Sequence, residues 1–188
     1  MNDQSVMTIL KKATAFFEEK GISEAKRSAE LLLAHALGQK RLQLFLRFDQ
    51  PVAEDELERF RASVRRRLAQ EPVQYIIGST EFYGMEFEVT SDVLIPRPET
   101  EHLVEAIIDW NKAQPEASPL RLVDIGTGSG CIAITLAAHI ATLRGVAVDV
   151  SHAALDVARR NALRHAVADR VDFLQCDILN GDAQLPGL

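Results

Sequence analysis

The chain reads as an α/β protein in three parts: a small helical bundle over residues 1–71, a β-hairpin connector over 72–95, and a partial domain of parallel strands and helices over 96–188. Three observations predict this. Apolar residues recur at three- and four-residue steps through residues 1–71. The period changes at Pro72, and a stretch rich in aromatic and β-branched residues follows from Thr80 to Val89. From Arg121 short apolar runs alternate with helical patterns, and the first run, Leu122-Val123-Asp124-Ile125, leads into Gly126-Thr127-Gly128-Ser129-Gly130.

In the first part, Val6, Ile9, Leu10, Ala13, Phe16 and Phe17 give one apolar stripe, which Gly21 ends. Ser23 is positioned to cap the next helix, whose stripe of Ile22, Ala25, Ala29, Leu32, Leu33 and Ala36 runs to Gly38. Leu42, Leu44, Phe45 and Leu46 predict a short third helix. Leu57, Phe60, Val64 and Leu68 predict a fourth, starting just after Pro51. Four short amphipathic helices with brief connections make a small bundle.

In the second part, Phe82 and Phe87 flank Gly84, as in a hairpin. Ile95-Pro96-Arg97-Pro98 is extended, because each proline disfavours helix in the residue before it. Pro98 suits the first turn of a helix, Glu99 and Glu101 favour its positive end, and Leu103, Val104, Ile107 and Ile108 give it an apolar face. Gln114 to Pro119 is a connector. Strands are then predicted at Leu122–Ile125, Gly145–Asp149 and Val171–Gln175, with helices near Cys131–Ala141 and His152–His165. Such alternation predicts a parallel sheet with right-handed crossovers.

Composition narrows the function. No run of about 18 apolar residues is present, which argues against a membrane span, and the polar, acidic start is unlike a secretory signal. Cys131 and Cys176 lie in apolar runs and form no close-spaced pair, as expected of free thiols in a reducing cytoplasm. The five histidines show no zinc-like spacing, so no metal is expected. Residues 1–71 carry a net charge of +2 and residues 72–188 a net of −8. The acidic part is a poor match for a nucleic-acid backbone. The basic cluster of Arg59, Arg61, Arg65, Arg66 and Arg67 could face RNA or an acidic protein. Glu54, Asp55, Glu56 and Glu58 precede it on the same helix, which favours a solvated face.

The glycine-rich turn carries the chemistry. A turn of this kind after a buried strand lets the backbone pass close under a ligand. A dinucleotide fingerprint needs glycine at its first, third and sixth positions; Gly126 and Gly128 fit, but the sixth position is Cys131. The extra glycine is Gly130, and Asp124 stands two residues before the first glycine. This favours S-adenosylmethionine, which has no pyrophosphate, with Gly126, Thr127, Gly128, Ser129 and Gly130 flanking its methionine portion. Asp149 ends the second strand 23 residues after Gly126, where an acid accepts hydrogen bonds from ribose hydroxyls. Asp177 follows the third strand, where an acid can accept from the adenine amino group, and Ile178 could cover the ring.

Three features together resemble the release-factor glutamine methyltransferases, the HemK/PrmC family: Leu94-Ile95-Pro96-Arg97-Pro98-Glu99-Thr100-Glu101, the preceding Glu81-Phe82-Tyr83-Gly84, and Asp124 to Gly130. The resemblance implies a Rossmann-like S-adenosylmethionine-dependent domain and transfer of a methyl group to the side-chain amide nitrogen of a glutamine. In the family that glutamine lies in the Gly-Gly-Gln motif of class I peptide chain release factors, and the helical domain helps to recognise the release factor. By the same resemblance, Gly126 to Gly130 and Asp149 contact the cofactor, Asp177 and Ile178 lie at the adenine, and Arg97, Pro98, Glu99 and Thr100 lie near the active-site wall. Pro96 and Pro98 also have a structural reading.

One family feature is absent from the chain. The Asn-Pro-Pro-Tyr motif, which orients the substrate amide in the family, occurs nowhere in residues 1–188. No present residue can be assigned that catalytic role, and three strands are fewer than such a domain needs. The chain is therefore expected to be an N-terminal fragment of a longer enzyme, inert by itself. Three other readings stand beside the methyltransferase: a non-catalytic module that binds release factor, a nucleic-acid amino-methyltransferase, and an NAD-dependent oxidoreductase. The charge of the second part disfavours the nucleic-acid enzyme, and Cys131 disfavours the oxidoreductase.

Overall fold

A computed structural model describes residues 4–114 and 120–179. The chain forms two compact units that divide between Ile77 and Gly78.

The first unit holds five helices: α1 (Val6–Glu19), α2 (Ala25–Ala36), α3 (Arg41–Leu46), α4 (Glu54–Leu68) and α5 (Val73–Ile77). Helix α2 is its hub and packs against all four others. Ala29, Leu32 and Leu33 on it are fully buried, together with Phe17 of α1. Ser5 caps α1, its Oγ accepting from the Thr8 N–H at 3.3 Å. The expectation that Ser23 caps α2 is corrected. Glu24 occupies that position with φ +50° and makes no side-chain cap, while the Ser23 carbonyl accepts from the Arg67 guanidinium at 3.5 Å. The predicted stripes are only partly interior. Leu44 is the buried member of α3, and Leu42 and Leu46 face solvent.

Helix α4 begins with Glu54, Asp55 and Glu56 and ends with Arg65, Arg66 and Arg67, an order that suits the helix dipole. Arg59 pairs with Asp55 at 2.8 Å, Arg61 with Glu54 at 2.9 Å and also with Glu58, and Arg66 with Glu71. Much of the basic cluster is thus neutralised along its own surface. Such exposed pairs are screened by solvent and add little to stability.

Helix α5 was not predicted. Five residues are too few to display a period, but Val73 and Ile76 join the core of the helical unit. The helical unit therefore extends past residue 71. The hairpin, expected as a connector, packs into the core of the second unit through Phe82 and Phe87.

The second unit opens with β1 (Ser79–Phe82) and β2 (Met85–Glu88), paired antiparallel with Phe82 opposite Met85. The two-residue turn between them has φ +52° at Tyr83 and +71° at Gly84. Positive values at both positions match the twist of a tight hairpin. Helix α6 (Thr100–Lys112) starts two residues later than Pro98 suggests; Pro98 lies in the preceding turn, where its carbonyl accepts from the Glu101 N–H.

Strands β3 (Arg121–Ile125), β4 (Arg144–Asp149) and β5 (Val171–Gln175) form a parallel sheet in that order. Helices α7 (Cys131–His139) and α8 (His152–Arg164) make the crossovers. Both pack on the sheet and touch each other, so they share a face. Helix α7 is apolar nearly all round, and Ala133, Ile134, Leu136 and Ala137 are wholly buried between α6, α8 and the strands. A helix without a polar face belongs in a core. The predicted strands and crossover helices thus stand within two residues of their observed bounds.

Candidate functional site

The carboxyl ends of β3 and β4 meet at the glycine turn, and the chain leaving β5 bonds the end of β4 through the Cys176 N–H and the Asp149 carbonyl at 3.0 Å. The backbone leaves β3 with φ +74° at Gly126, +55° at Gly128 and +79° at Gly130. A Cβ placed on Gly126 or Gly128 would meet nothing within 4 Å, so the space above the turn is open. Gly130 differs. Its Cβ would lie 2.6 Å from Ile134 Cδ1 and 3.2 Å from the Ala158 Cβ. The first two glycines leave room on the outside, and the third lets α7 and α8 close beneath the turn.

Asp124 and Asp149 hold the turn from two sides. Asp124 is buried, and its Oδ2 accepts from the Thr127 hydroxyl at 2.7 Å. Asp149 is half-buried; its Oδ2 accepts from the Gly128 N–H and its Oδ1 from the Ser151 N–H, both at 2.9 Å. The Gly126 and Thr127 N–H groups both donate to the Val148 carbonyl, at 2.8 and 2.9 Å. The second acid is therefore part of the scaffold of the first loop, a role that spacing alone does not reveal. Each carboxylate oxygen can accept more than one hydrogen bond, so Asp149 keeps capacity toward a ligand hydroxyl.

Burial pushes the Asp124 carboxyl above its ordinary value of 3.8, and the Thr127 hydroxyl bond opposes this more weakly. The folded chain then binds this proton more readily than the unfolded chain. The contribution of Asp124 to stability is accordingly expected to fall as pH rises from 3.8 through the raised value and to level off above it, against the opposite contribution of Glu88, whose carboxyl the Arg160 guanidinium holds below its ordinary value. Asp124→Asn should flatten that slope in urea midpoints followed by fluorescence of Trp110, the single tryptophan, which lies on α6 in the same unit. An unchanged slope would reject the assignment. Burial likewise pushes the Cys131 thiol up to about 11, so it remains a neutral thiol near pH 7 rather than a nucleophile.

Exposed large apolar residues stand at or beyond the carboxyl ends of the strands: Ile125 is the last residue of β3, Val150 follows β4 directly, and Ile178 comes three residues after β5. Asp177 precedes Ile178, and its Oδ1 accepts from the Leu179 N–H at 3.0 Å, closing a local turn. Arg97, Pro98 and Glu99 are exposed and Thr100 is half-buried. The backbone bonds around them are local, such as Thr100 N–H to the Arg97 carbonyl at 3.0 Å. Among the described residues no hydrogen bond joins this segment to the glycine turn.

Two residues at the site were not singled out from sequence. Ser151 caps α8 and donates its N–H to Asp149; the Asp-x-Ser spacing is the signal of such a turn. Asn161 is fully buried on α8 and bonds the Ser129 carbonyl. Its signal was a lone amide on the otherwise apolar stripe of Leu155, Ala158 and Ala162.

The fit to a nucleoside cofactor rests on this donor set: open space over two glycines, a carboxylate beside the turn with unused lone pairs, and apolar side chains at the strand ends. Among the described residues no group of His, Cys, Asp and Glu could hold a metal ion. No helix among them is long and apolar enough to cross a membrane.

The helical unit carries a separate feature. A groove of about 580 Å³ runs between α1 and α4. Ile9, Ala13, Phe16, Phe60 and Val64 contribute apolar lining, and Lys12, Arg61 and Arg65 contribute cations; no carboxylate is among the described lining residues. Phe16, expected in the core stripe, is 38% exposed here.

Residues 8–78 match the family described as the PrmC N-terminal domain, and residues 122–186 match the family described as a methyltransferase domain. The release factor glutamine methyltransferase of Chlorobaculum tepidum is 51% identical over 178 residues, which is 94% of this chain and 60% of that protein. The proteins of the same name from Rhodopirellula baltica and Bacillus subtilis are 43% and 42% identical, each with the same coverage of both chains. The chain spans about three-fifths of the length of these relatives.

Proposed function

Because the chain belongs to the family of the release factor glutamine methyltransferases, we propose that it forms the cofactor-binding and partner-docking part of an enzyme that methylates the Gly-Gly-Gln glutamine of class I release factors. The observation that carries the reading is the engagement of Asp149 with the Gly128 N–H, which brings a carboxylate to the open side of a glycine turn. S-adenosylmethionine is the cofactor that fits. Gly126 to Gly130 flank its methionine portion, Asp149 accepts from the ribose hydroxyls, and Asp177 accepts from the adenine amino group. Ile178 covers the adenine, and Arg97 to Thr100 form the wall toward the substrate. When bound, the cofactor supplies a methyl group on a positive sulfur. The residues present bind and orient it, and none is assigned to activating the glutamine amide.

Docking is assigned to the helical unit. The groove between α1 and α4 combines an apolar lining with the Arg65 guanidinium, Arg61 being already paired with Glu54 and Glu58, and suits an apolar segment of the release factor that bears an acidic side chain. The net charge of −8 beyond residue 71 disfavours a nucleic-acid substrate. The free Cys131 and Cys176 fit a reducing cytoplasm.

Two measurements on the whole chain test this. Calorimetric titration should give saturable binding of S-adenosylhomocysteine and none of NADH; the reverse preference would overturn the cofactor assignment. Capture of a class I release factor should fall about tenfold in the double variant Phe16→Ser, Arg65→Glu, since the pair removes an apolar contact and reverses a charge, together about 1.4 kcal/mol or more. Undiminished capture would take docking away from this groove.

A further inference from the structure

Asn161 joins three segments that are far apart in sequence. It is fully buried on α8. Its Oδ1 accepts from the Glu88 N–H at 2.7 Å, and its Nδ2 donates to the Glu88 carbonyl and to the Ser129 carbonyl, each at 3.0 Å. The partners fix the orientation of the amide. A backbone N–H requires an acceptor and two carbonyls require donors, so the reversed amide would meet like against like.

The Ser129 carbonyl belongs to the peptide between Ser129 and Gly130. The other end of that peptide, the Gly130 N–H, donates to the Thr127 carbonyl at 2.9 Å. The last peptide plane of the turn, where it enters α7, is thus held at both ends, one hold being Asn161. Two residues before Gly130, the Gly128 N–H is held by Asp149. Side-chain contacts between α8 and the hairpin run alongside: Arg160 to the Glu88 carboxylate at 2.7 Å, Arg164 to the Glu86 carboxylate at 2.7 Å, and His165 Nε2 to the Glu86 carbonyl at 2.8 Å. These are solvent-exposed, and exposed pairs hold geometry weakly. Asn161 is the one member of the set that reaches the turn.

We infer that Asn161 is a positioning residue: it locks the β1–β2 hairpin to the glycine turn, so that filling the turn and ordering the hairpin are one coupled event. This rests on the reading that the turn binds the nucleoside cofactor. Its consequence is that a ligand on the turn is felt at Glu88. Linkage makes the coupling reciprocal, so whatever orders the hairpin tightens the turn for the ligand.

Amide hydrogen exchange of the whole chain with and without S-adenosylhomocysteine tests it. Saturating ligand should slow Gly128 and Gly130 and also slow the Glu88 amide, each about tenfold, within the 5–150-fold range usual for coupled sites. Protection at the turn with Glu88 unchanged would overturn the inference alone. No protection at either place would overturn the cofactor reading and the inference with it. A variant arm needs no ligand. Asn161→Asp keeps the acceptor for Glu88 but turns an oxygen toward two carbonyls, and should speed exchange at both Gly130 and Glu88 about tenfold. The helical unit, followed at Leu32 and Leu33, should be unaffected. Faster exchange at Glu88 alone would show a hairpin clip without a hold on the turn, and would overturn the inference. Should Asn161→Asp fail to fold, the measurement on the unaltered chain decides. Arg160→Gln breaks the exposed contact with the Glu88 carboxylate and should leave the response of Glu88 to ligand intact; its loss there would move the coupling to the ion pair and away from Asn161.

Discussion

Replacing Asp149 with alanine is expected to weaken S-adenosylhomocysteine binding by roughly ten- to a hundredfold. Two losses combine. A charge-assisted hydrogen bond to a sugar hydroxyl contributes about 1.5–3 kcal/mol, and about 1.4 kcal/mol is a decade in the dissociation constant. The same carboxylate also holds the Gly128 and Ser151 N–H groups at 2.9 Å, so its removal frees the turn before any ligand arrives. Asp149→Asn is not a mild control, because its NH2 would face one of those two backbone donors. Calorimetric titration of the variant checks the expectation. A dissociation constant equal to that of the unaltered chain would remove Asp149 from the site.

Gly130→Ala carries the largest expected cost in stability. The residue has φ +79°, a conformation that costs about 1–2 kcal/mol for a residue with a Cβ. The new methyl would lie 2.6 Å from Ile134 Cδ1 and 3.2 Å from the Ala158 Cβ. The Ile134 side chain is fully buried and has little room to turn away, and Ala158 is fixed to α8. Overpacking of this kind adds about 1–3 kcal/mol, for a total of about 2–5 kcal/mol. Gly128→Ala is the matched comparison. It shares the positive φ but meets nothing within 4 Å, so only the conformational cost, about 1–2 kcal/mol, applies. Urea unfolding followed by Trp110 fluorescence isolates the second unit. Equal losses in the two variants would show that closure beneath the turn is not what Gly130 provides.

The two glycine variants also separate what can be read locally from what cannot. That the turn needs glycine follows from Leu122-Val123-Asp124-Ile125 running into three alternate glycines. Which glycine faces a ligand and which faces the core depends on α8, whose Ala158 lies 28 positions from Gly130. The same division holds at the acids. Spacing puts Asp149 at the end of β4, but only the fold shows that its oxygens first serve the neighbouring loop. At Arg97 to Thr100 the motif was specific, yet its hydrogen bonds among the described residues are local, so its place on the substrate wall rests on resemblance alone.

In the helical unit the periodic stripes identified the helices but overstated the core. Phe16 and Phe17 share one stripe, yet Phe17 is wholly buried and Phe16 opens onto a groove. Adjacent residues on a helix differ by about 100° in direction, and which of them faces the interior is set by where α2 and α4 lie.

What the amino-acid order alone determined is the succession of helices, hairpin and parallel strands, the glycine turn, and the distance from it to Asp149. These depend on periodicity and turn chemistry within a few residues, forces that act along the chain. Tertiary structure decided the existence of α5, the left-handed cap at Glu24, the opposite duties of Gly128 and Gly130, and the clip at Asn161. Each of these depends on partners brought together by burial: Asn161 and Glu88 stand 73 positions apart, and Asn161 and Ser129 stand 32 apart. A buried amide is stable only where every donor and acceptor finds its mate, and that condition is settled by the packed core, not by neighbours in sequence.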